Sequence, residues 1–153
     1  MIEIILFEDK YAHDFRRMNL EWLYQYNLAE SHDLEVLNDP RATIIEPGGC
    51  IFLAKENNII AGSAALVKAG EDCYELAKMS VDAGFRGMGI SKLLMNRCIE
   101  EAHLRKAKKL VLFSNHQLTT ALNLYTQFGF KNIPVTDSPF VTADVKMELI
   151  LGD

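Results

Sequence analysis

Residues 86 to 91 read Arg86-Gly87-Met88-Gly89-Ile90-Ser91 and join a strand-like segment to a helix-like one. Glycine lets a backbone approach a ligand closely. The first N–H groups of a helix lack intrahelical partners and lie at the positive end of its dipole, so such a turn suits an anion such as phosphate. It is not a Walker A loop, because no Gly-Lys-Ser/Thr follows. Nor is it a GxGxxG turn, because Lys92 stands where the third glycine would be. A glycine pair here also serves as a plain tight turn, and these residues alone leave both uses open.

Three further side chains carry chemistry. Glu75 interrupts the strand-like run Cys73 to Val81, and alternation puts it on a face shared with Ala77, Met79 and Val81. A carboxylate there is a general base, an edge-of-sheet surface group or an ion-pair partner. Tyr125 follows Leu118, Ala121 and Leu122 at helical spacing, which turns its ring inward as core or as a proton donor. Asn115 follows a short apolar strand and is a ligand-facing amide or a helix cap. Cys73 shares the Glu75 face, but no histidine close in sequence activates it. His13, His32, His103 and His116 show no ligand spacing, so no metal is expected.

The elements that must position these groups follow from periodicity. Residues 2 to 7 read as a strand, Tyr11 to about Leu28 as a helix interrupted by the polar Asn19, and Ser31 as the N-cap of a short helix stopped before Pro40. Strands at Cys50 to Lys55 and Ile59 to Val67 flank the turn Glu56-Asn57-Asn58. After the strand Cys73 to Val81 and the glycine turn, a long amphipathic helix runs through Ile90, Leu93, Leu94, Cys98 and Ala102. A buried strand (Lys109 to Ser114), a helix (Gln117 to Phe128, stopped at Gly129) and strands at Phe130 to Val135 and Val141 to Leu151 complete the chain. The expected fold is one α/β domain over residues 1–153: a mixed, mostly antiparallel sheet flanked by helices.

Three stretches, in order, resemble motifs of the GNAT superfamily of N-acetyltransferases. The glycine turn resembles the family's acyl-CoA-binding motif, with Ser91 in place of its final Gly or Ala. Tyr74 to Val81 looks like the family's fourth strand, and Ser114-Asn115 through Leu124-Tyr125 to Phe128-Gly129-Phe130 looks like its typical ending. The resemblance implies acetyl-CoA as acyl donor, with its pyrophosphate on the amides of Arg86, Gly87, Met88, Gly89, Ile90 and Ser91. Its pantetheine would pair with backbone near Met79 to Val81. It further implies Glu75 as base or water relay, Tyr125 as the acid facing the sulfur, and Asn115 near pantetheine or the acceptor. The activity implied is direct acetyl transfer to a primary amine of a small molecule or peptide. The alternative is a non-catalytic acyl-CoA-binding regulatory domain of the same fold.

Charge sharpens these expectations. Sixteen Lys and Arg against twenty-one Asp and Glu give a net charge of −5, which argues against a nucleic-acid partner. The first forty residues are mostly acidic and residues 85 to 110 mostly basic. Lys92, Lys108 and Lys109 suit an anionic donor. Trp22, Tyr26, Glu30, His32, Asp33 and Glu35, in the region where the family forms its acceptor pocket, suit a cationic amine. No run is long enough to span a bilayer, and the N-terminus does not read as a signal peptide. With three scattered cysteines, a cytoplasmic protein without membrane association is expected, and a homodimer is a family-level expectation.

Overall fold

The computed structural model describes residues 1–152; Asp153, the last residue of the expected domain, lies outside them. Seven strands form one open sheet in the order β1-β2-β3-β4-β5-β7-β6. They are β1 (Glu3–Leu6), β2 (Cys50–Glu56), β3 (Ile59–Lys68), β4 (Cys73–Val81), β5 (Lys109–Ser114), β6 (Lys131–Ile133) and β7 (Val145–Ile150). Every neighbouring pair is antiparallel except β4 and β5. Helices α1 (Ala12–Gln25) and α2 (Ser31–Asn38) precede β2, α3 (Ile90–Leu104) joins β4 to β5, and α4 (Thr119–Gln127) joins β5 to β6. None of the helices is long and apolar enough to cross a membrane.

Apolar side chains leave both faces of the central strands. Phe52, Leu66, Leu76, Leu110 and Leu112 meet Leu94, Met95 and Cys98 of α3. On the other face, Ile51, Leu53 and Ala65 meet Phe15 and Met18 of α1 and Leu37 of α2. Strands buried on both faces read as continuous apolar runs, which is why β2 and β3 are conspicuous in the sequence. Asn57 and Asn58, both at positive φ, make the tight β2–β3 turn.

Several boundaries differ from the sequence expectation. α2 does begin at Ser31, but its N-cap is Glu30, because Asp33 accepts the Glu30 backbone N–H at 2.9 Å as one half of a capping box. The last strand starts at Val145 rather than Val141, because residues 134–144 form a loop tied elsewhere. The Glu30 carboxylate accepts the N–H groups of Val141 and Thr142 at 2.9 and 2.8 Å, and the Thr142 hydroxyl at 2.5 Å.

The most consequential difference lies in β4. Between the pairs Ser63–Ser80 and Ala65–Ala77, β4 contains one residue more than β3. Lys78 sits in this bulge at φ +52°, in the left-handed region. An extra residue reverses the side-chain alternation beyond it. Glu75 and Ala77 therefore face the α1–α2 side, whereas Met79 and Val81 pack with the α3 cluster. The expectation that all four share a face is wrong, and no alternation count reveals a bulge. The fold holds this shape through Ser63, whose hydroxyl donates to the Lys78 carbonyl at 2.7 Å and accepts from Asn19 Nδ2 at 3.0 Å. Asn19, the polar break in the α1 stripe, is thus a buried strut between helix and bulge.

Gly49 immediately precedes β2, where the chain passes close to its neighbours. A Cβ there would lie 2.2 Å from the Leu66 carbonyl oxygen and 2.7 Å from that of Ile44. Both are backbone atoms, so relief requires moving the strand. Gly49→Ala is expected to destabilise the fold by ~1–3 kcal/mol, lowering Tm by about 2–4 °C per kcal/mol in a calorimetric scan.

Candidate active site

β4 and β5 are hydrogen-bonded only from Cys73 to Glu75 and from Lys109 to Val111. Beyond that point each continues, β4 to Val81 and β5 to Ser114, without pairing to the other. The bend at the bulge separates them, and the opening leaves unpaired backbone along the β4 edge at Met79 to Val81. An extended chain can add to such an edge as a strand would.

The glycine turn stands at the mouth of this opening. Gly87 and Gly89 have φ of +81° and +76°, and a Cβ on either would meet nothing within 4 Å, so the surface there is open. Gly89 is the N-cap of α3. The N–H groups of Ile90, Ser91 and Lys92 therefore form the first, unpaired turn of that helix, an arrangement suited to an anion. The buried Ile90 side chain packs beside Gly62 of β3 and fixes the helix start against the sheet. Asp82 accepts from Gly84 N and from Arg17 of α1, and Arg86 donates to Gln25, so α1 braces the turn.

A cavity of about 500 Å³ runs from this turn into the opening, lined by Met79, Val81, Arg86, Gly87, Gly89, Ile90, Ser91 and Lys92. Met88, expected beside them, points its side chain to solvent and leaves only its backbone in the turn. Of the lysines expected to attract the anion, only Lys92 is here. Lys108 pairs with Asp72 at 3.8 Å, and Lys109 aligns with Cys73, at the far end of β4. Their closeness in sequence to α3 says nothing of which end of the sheet the helix returns them to.

A second, smaller cavity of about 110 Å³, the inner one, adjoins it on the α1–α2 side, and Trp22, Met79, Leu118 and Tyr125 line both. Glu75 lines the inner one. Removal from water pushes its carboxyl up to about 7, against the opposing pull of the Lys78 and Lys146 ammonium groups. Tyr125 stands at the junction, 6.0 Å from Phe130 between ring centroids, and burial raises its phenol to about 12. It therefore keeps its proton at neutral pH, and its hydroxyl makes no hydrogen bond among the described residues. A titratable carboxyl on one side and an un-ionised hydroxyl at the junction are suited to taking and giving a proton respectively.

Asn115 is brought to the inner cavity, but both ends of its amide are engaged. Nδ2 donates to the Thr142 carbonyl at 2.8 Å and Oδ1 accepts from Gln117 N at 3.1 Å. It clamps the 134–144 loop beside the cavity, and it does not cap α4, whose N-cap is Leu118. Two of the carboxylates expected to attract a cationic amine are likewise engaged. Glu30 holds the same loop, and Asp33 pairs with the buried ammonium of Lys78. Lys78, Asn19 and the loop residues Phe140 and Thr142, all lining the inner cavity, carry no motif of their own. The single hint in the sequence was a charged residue and a buried polar one inside otherwise apolar elements. Among the described residues, no group of three or more His, Cys, Asp or Glu side chains is placed to hold a metal ion.

The fold recurs in known proteins. An acetyltransferase of the GNAT family from Staphylococcus aureus Mu50 superposes with a TM-score of 0.91 over 99% of both chains at 23% identity. The PaiA N-acetyltransferase of Thermoplasma acidophilum, solved in complex with coenzyme A, gives 0.76 over 98% of this chain and 99% of that one at 15% identity. In sequence, N-acetylaspartate synthetase of Rattus norvegicus is 35% identical over 92 residues, which are 60% of this chain and 31% of the relative. The chain thus spans about a third of that relative's length. The model of the Acetyltransferase (GNAT) family matches residues 12–130, from the start of α1 through the bulge, the glycine turn and Tyr125. The chain belongs to the GNAT acetyltransferase family.

Proposed function

We propose that this chain transfers the acetyl group of acetyl-CoA directly to a primary amine of a small molecule or peptide. The observation that carries this is the meeting of two cavities at Tyr125, one opening on an anion-binding turn and the other containing Glu75. The outer cavity offers the donor a helix N-terminus for the pyrophosphate and a free strand edge for the pantetheine amides. The thioester then ends at the junction, where the inner cavity delivers the amine.

Glu75, as carboxylate, removes a proton from the incoming ammonium, directly or through a water, and frees the lone pair that attacks the thioester carbon. Tyr125 donates its phenolic proton to the departing sulfur, so that CoA leaves as a thiol rather than a thiolate. The two residues act on opposite sides of the reacting carbon, and their environments push them to complementary states at neutral pH. No covalent acyl-enzyme is needed. Burial pushes the thiol of Cys73, the nearest cysteine in sequence, up, which makes it a poor nucleophile.

The first test is binding. At ~100 times Kd, acetyl-CoA is expected to stabilise the fold by about 2.7 kcal/mol, a visible rise in Tm that ATP and NAD do not give. Gly89→Asp, which adds a side chain at positive φ and a negative charge at the anion site, is expected to abolish the rise. Binding of CoA without amine-dependent CoA release, across an amine panel, would instead support a non-catalytic acyl-CoA-binding domain.

The second test is the pH profile. Activity is expected to rise as pH passes through about 7, where Glu75 ionises. Glu75→Gln should remove that limb and lower kcat by roughly 10²–10⁴-fold. The sign on stability is opposite. A carboxyl whose folded value is raised favours the fold while protonated and loses that advantage as pH climbs from its unfolded value towards about 7. Glu75→Gln is therefore expected to raise Tm at pH 8 while lowering turnover; a fall in both would mean that the carboxylate is structural.

A further inference from the structure

The Lys78 side chain is 7% exposed and that of its partner Asp33 3% exposed, and both line the inner cavity. The two partners are unequally satisfied. Asp33 Oδ1 accepts from Lys78 Nζ at 2.5 Å and Oδ2 accepts the Glu30 backbone N–H at 2.9 Å, so both oxygens are held by the fold. An ammonium has three N–H donors. Lys78 has Asp33 as its one hydrogen-bond acceptor among the described residues; the Phe140 ring lies 5.3 Å from Nζ to centroid, and Glu75 is close enough to feel its charge but accepts no hydrogen bond from it. Two donors on a cation withdrawn from bulk water thus lack a protein partner, in a wall of the cavity that Glu75 also lines.

Buried donors are normally paired, and those of a cation pair best with an anion. The backbone bears a cost to put this one here, since Lys78 occupies the left-handed region. We propose that Lys78 binds a carboxylate of the acceptor, so that the substrates are small amino acids or similar amines with a carboxylate close to the amine. Charge balances at each stage. The acceptor enters as a zwitterion, its carboxylate on Lys78, and its ammonium gives a proton to the ionised Glu75. A cavity of about 110 Å³ suits a compact molecule of this kind. Selection of a simple cationic amine, expected from the acidic first helices, would leave the two donors unpaired and add a second cation beside Lys78. The proposal rests on acetyl transfer to an amine, but it is tested separately.

The chain has a single tryptophan, Trp22, and it lines both cavities, so its fluorescence reports on acceptor binding without turnover. The protein saturated with CoA is titrated with glycine, L-alanine and L-aspartate, each beside its α-amide, and with methylamine and ethylamine. Each acid is expected to bind at least about tenfold more tightly than its amide. Lys78→Met should erase that difference while leaving CoA affinity unchanged, and Lys78→Arg should restore part of it. Where Lys78→Met fails to fold, because Asp33 is left as a buried unpaired charge, Lys78→Met with Asp33→Asn replaces it, since Asn keeps an acceptor for the Glu30 N–H. Equal binding of acid and amide, equal weakening of both by the variant, or failure of every acid to bind up to its solubility limit overturns the proposal. Acid-selective, Lys78-dependent binding without acetyl transfer would overturn the proposed reaction and leave this site standing. Transfer to amines without acid selectivity would do the reverse.

Discussion

One extra residue in β4 governs the site. Without the bulge at Lys78, β4 would keep its alternation and continue beside β5, and its edge would stay closed. With it, the strand bends, pairing with β5 ends at Glu75 and Val111, and a wedge opens between two strands of an otherwise continuous sheet. The same residue sends Glu75 to one face and Met79 to the other. In the proposed reaction, a carboxyl for the acceptor and backbone for the donor would thus come from one short segment, on opposite faces of the sheet. The hydroxyl of Ser63 and the amide of Asn19 keep the bulge from relaxing, which gives a reason for two buried polar groups among apolar neighbours.

The environments of Glu75 and Tyr125 differ in what burial does to them. Both lose solvation, which disfavours the charged form of each. For a carboxyl this moves the titration into the neutral range, where it exchanges protons readily. For a phenol it moves the titration further from that range and preserves the proton. In the proposed reaction, this one physical effect suits Glu75 to be the base and Tyr125 the acid. The two ammonium groups of Lys78 and Lys146 keep Glu75 from being raised so far that it would never ionise.

The enclosure of the inner cavity depends on contacts far apart in sequence. Glu30 at the head of α2 holds Val141 and Thr142, Asn115 at the end of β5 holds Thr142, and the His116 ring pairs with Asp144. The loop is therefore fastened from two sides, and Phe140 is pressed against His32, Phe113 and the Lys78 ammonium. This explains why the acidic character of the first forty residues misleads. Glu30 and Asp33, the carboxylates of that region nearest the cavity, are already engaged by backbone amides and by a lysine, and it is Lys78 that keeps N–H donors without a protein acceptor.

The sequence by itself determined the element order, the buried strand at Lys109 to Ser114, the glycine turn at the head of α3 and the inward side of α4 that carries Tyr125. Each is written in local periodicity or in a turn residue whose physics is local. The family resemblance then supplied roles for Glu75, Tyr125 and the turn, covering most of the candidate site. Only the tertiary structure decided which face of β4 Glu75 occupies, that Asn115 and Glu30 clamp a loop, that Lys108 and Lys109 lie away from the donor cleft, and that Lys78 is buried opposite Asp33. A bulge shifts alternation without any change in composition. A pair separated by forty-five residues forms only when a helix packs across the strand. Hydrophobic pattern fixes which residues leave water, but the partners of the polar groups that leave with them are set by the packing of elements distant along the chain.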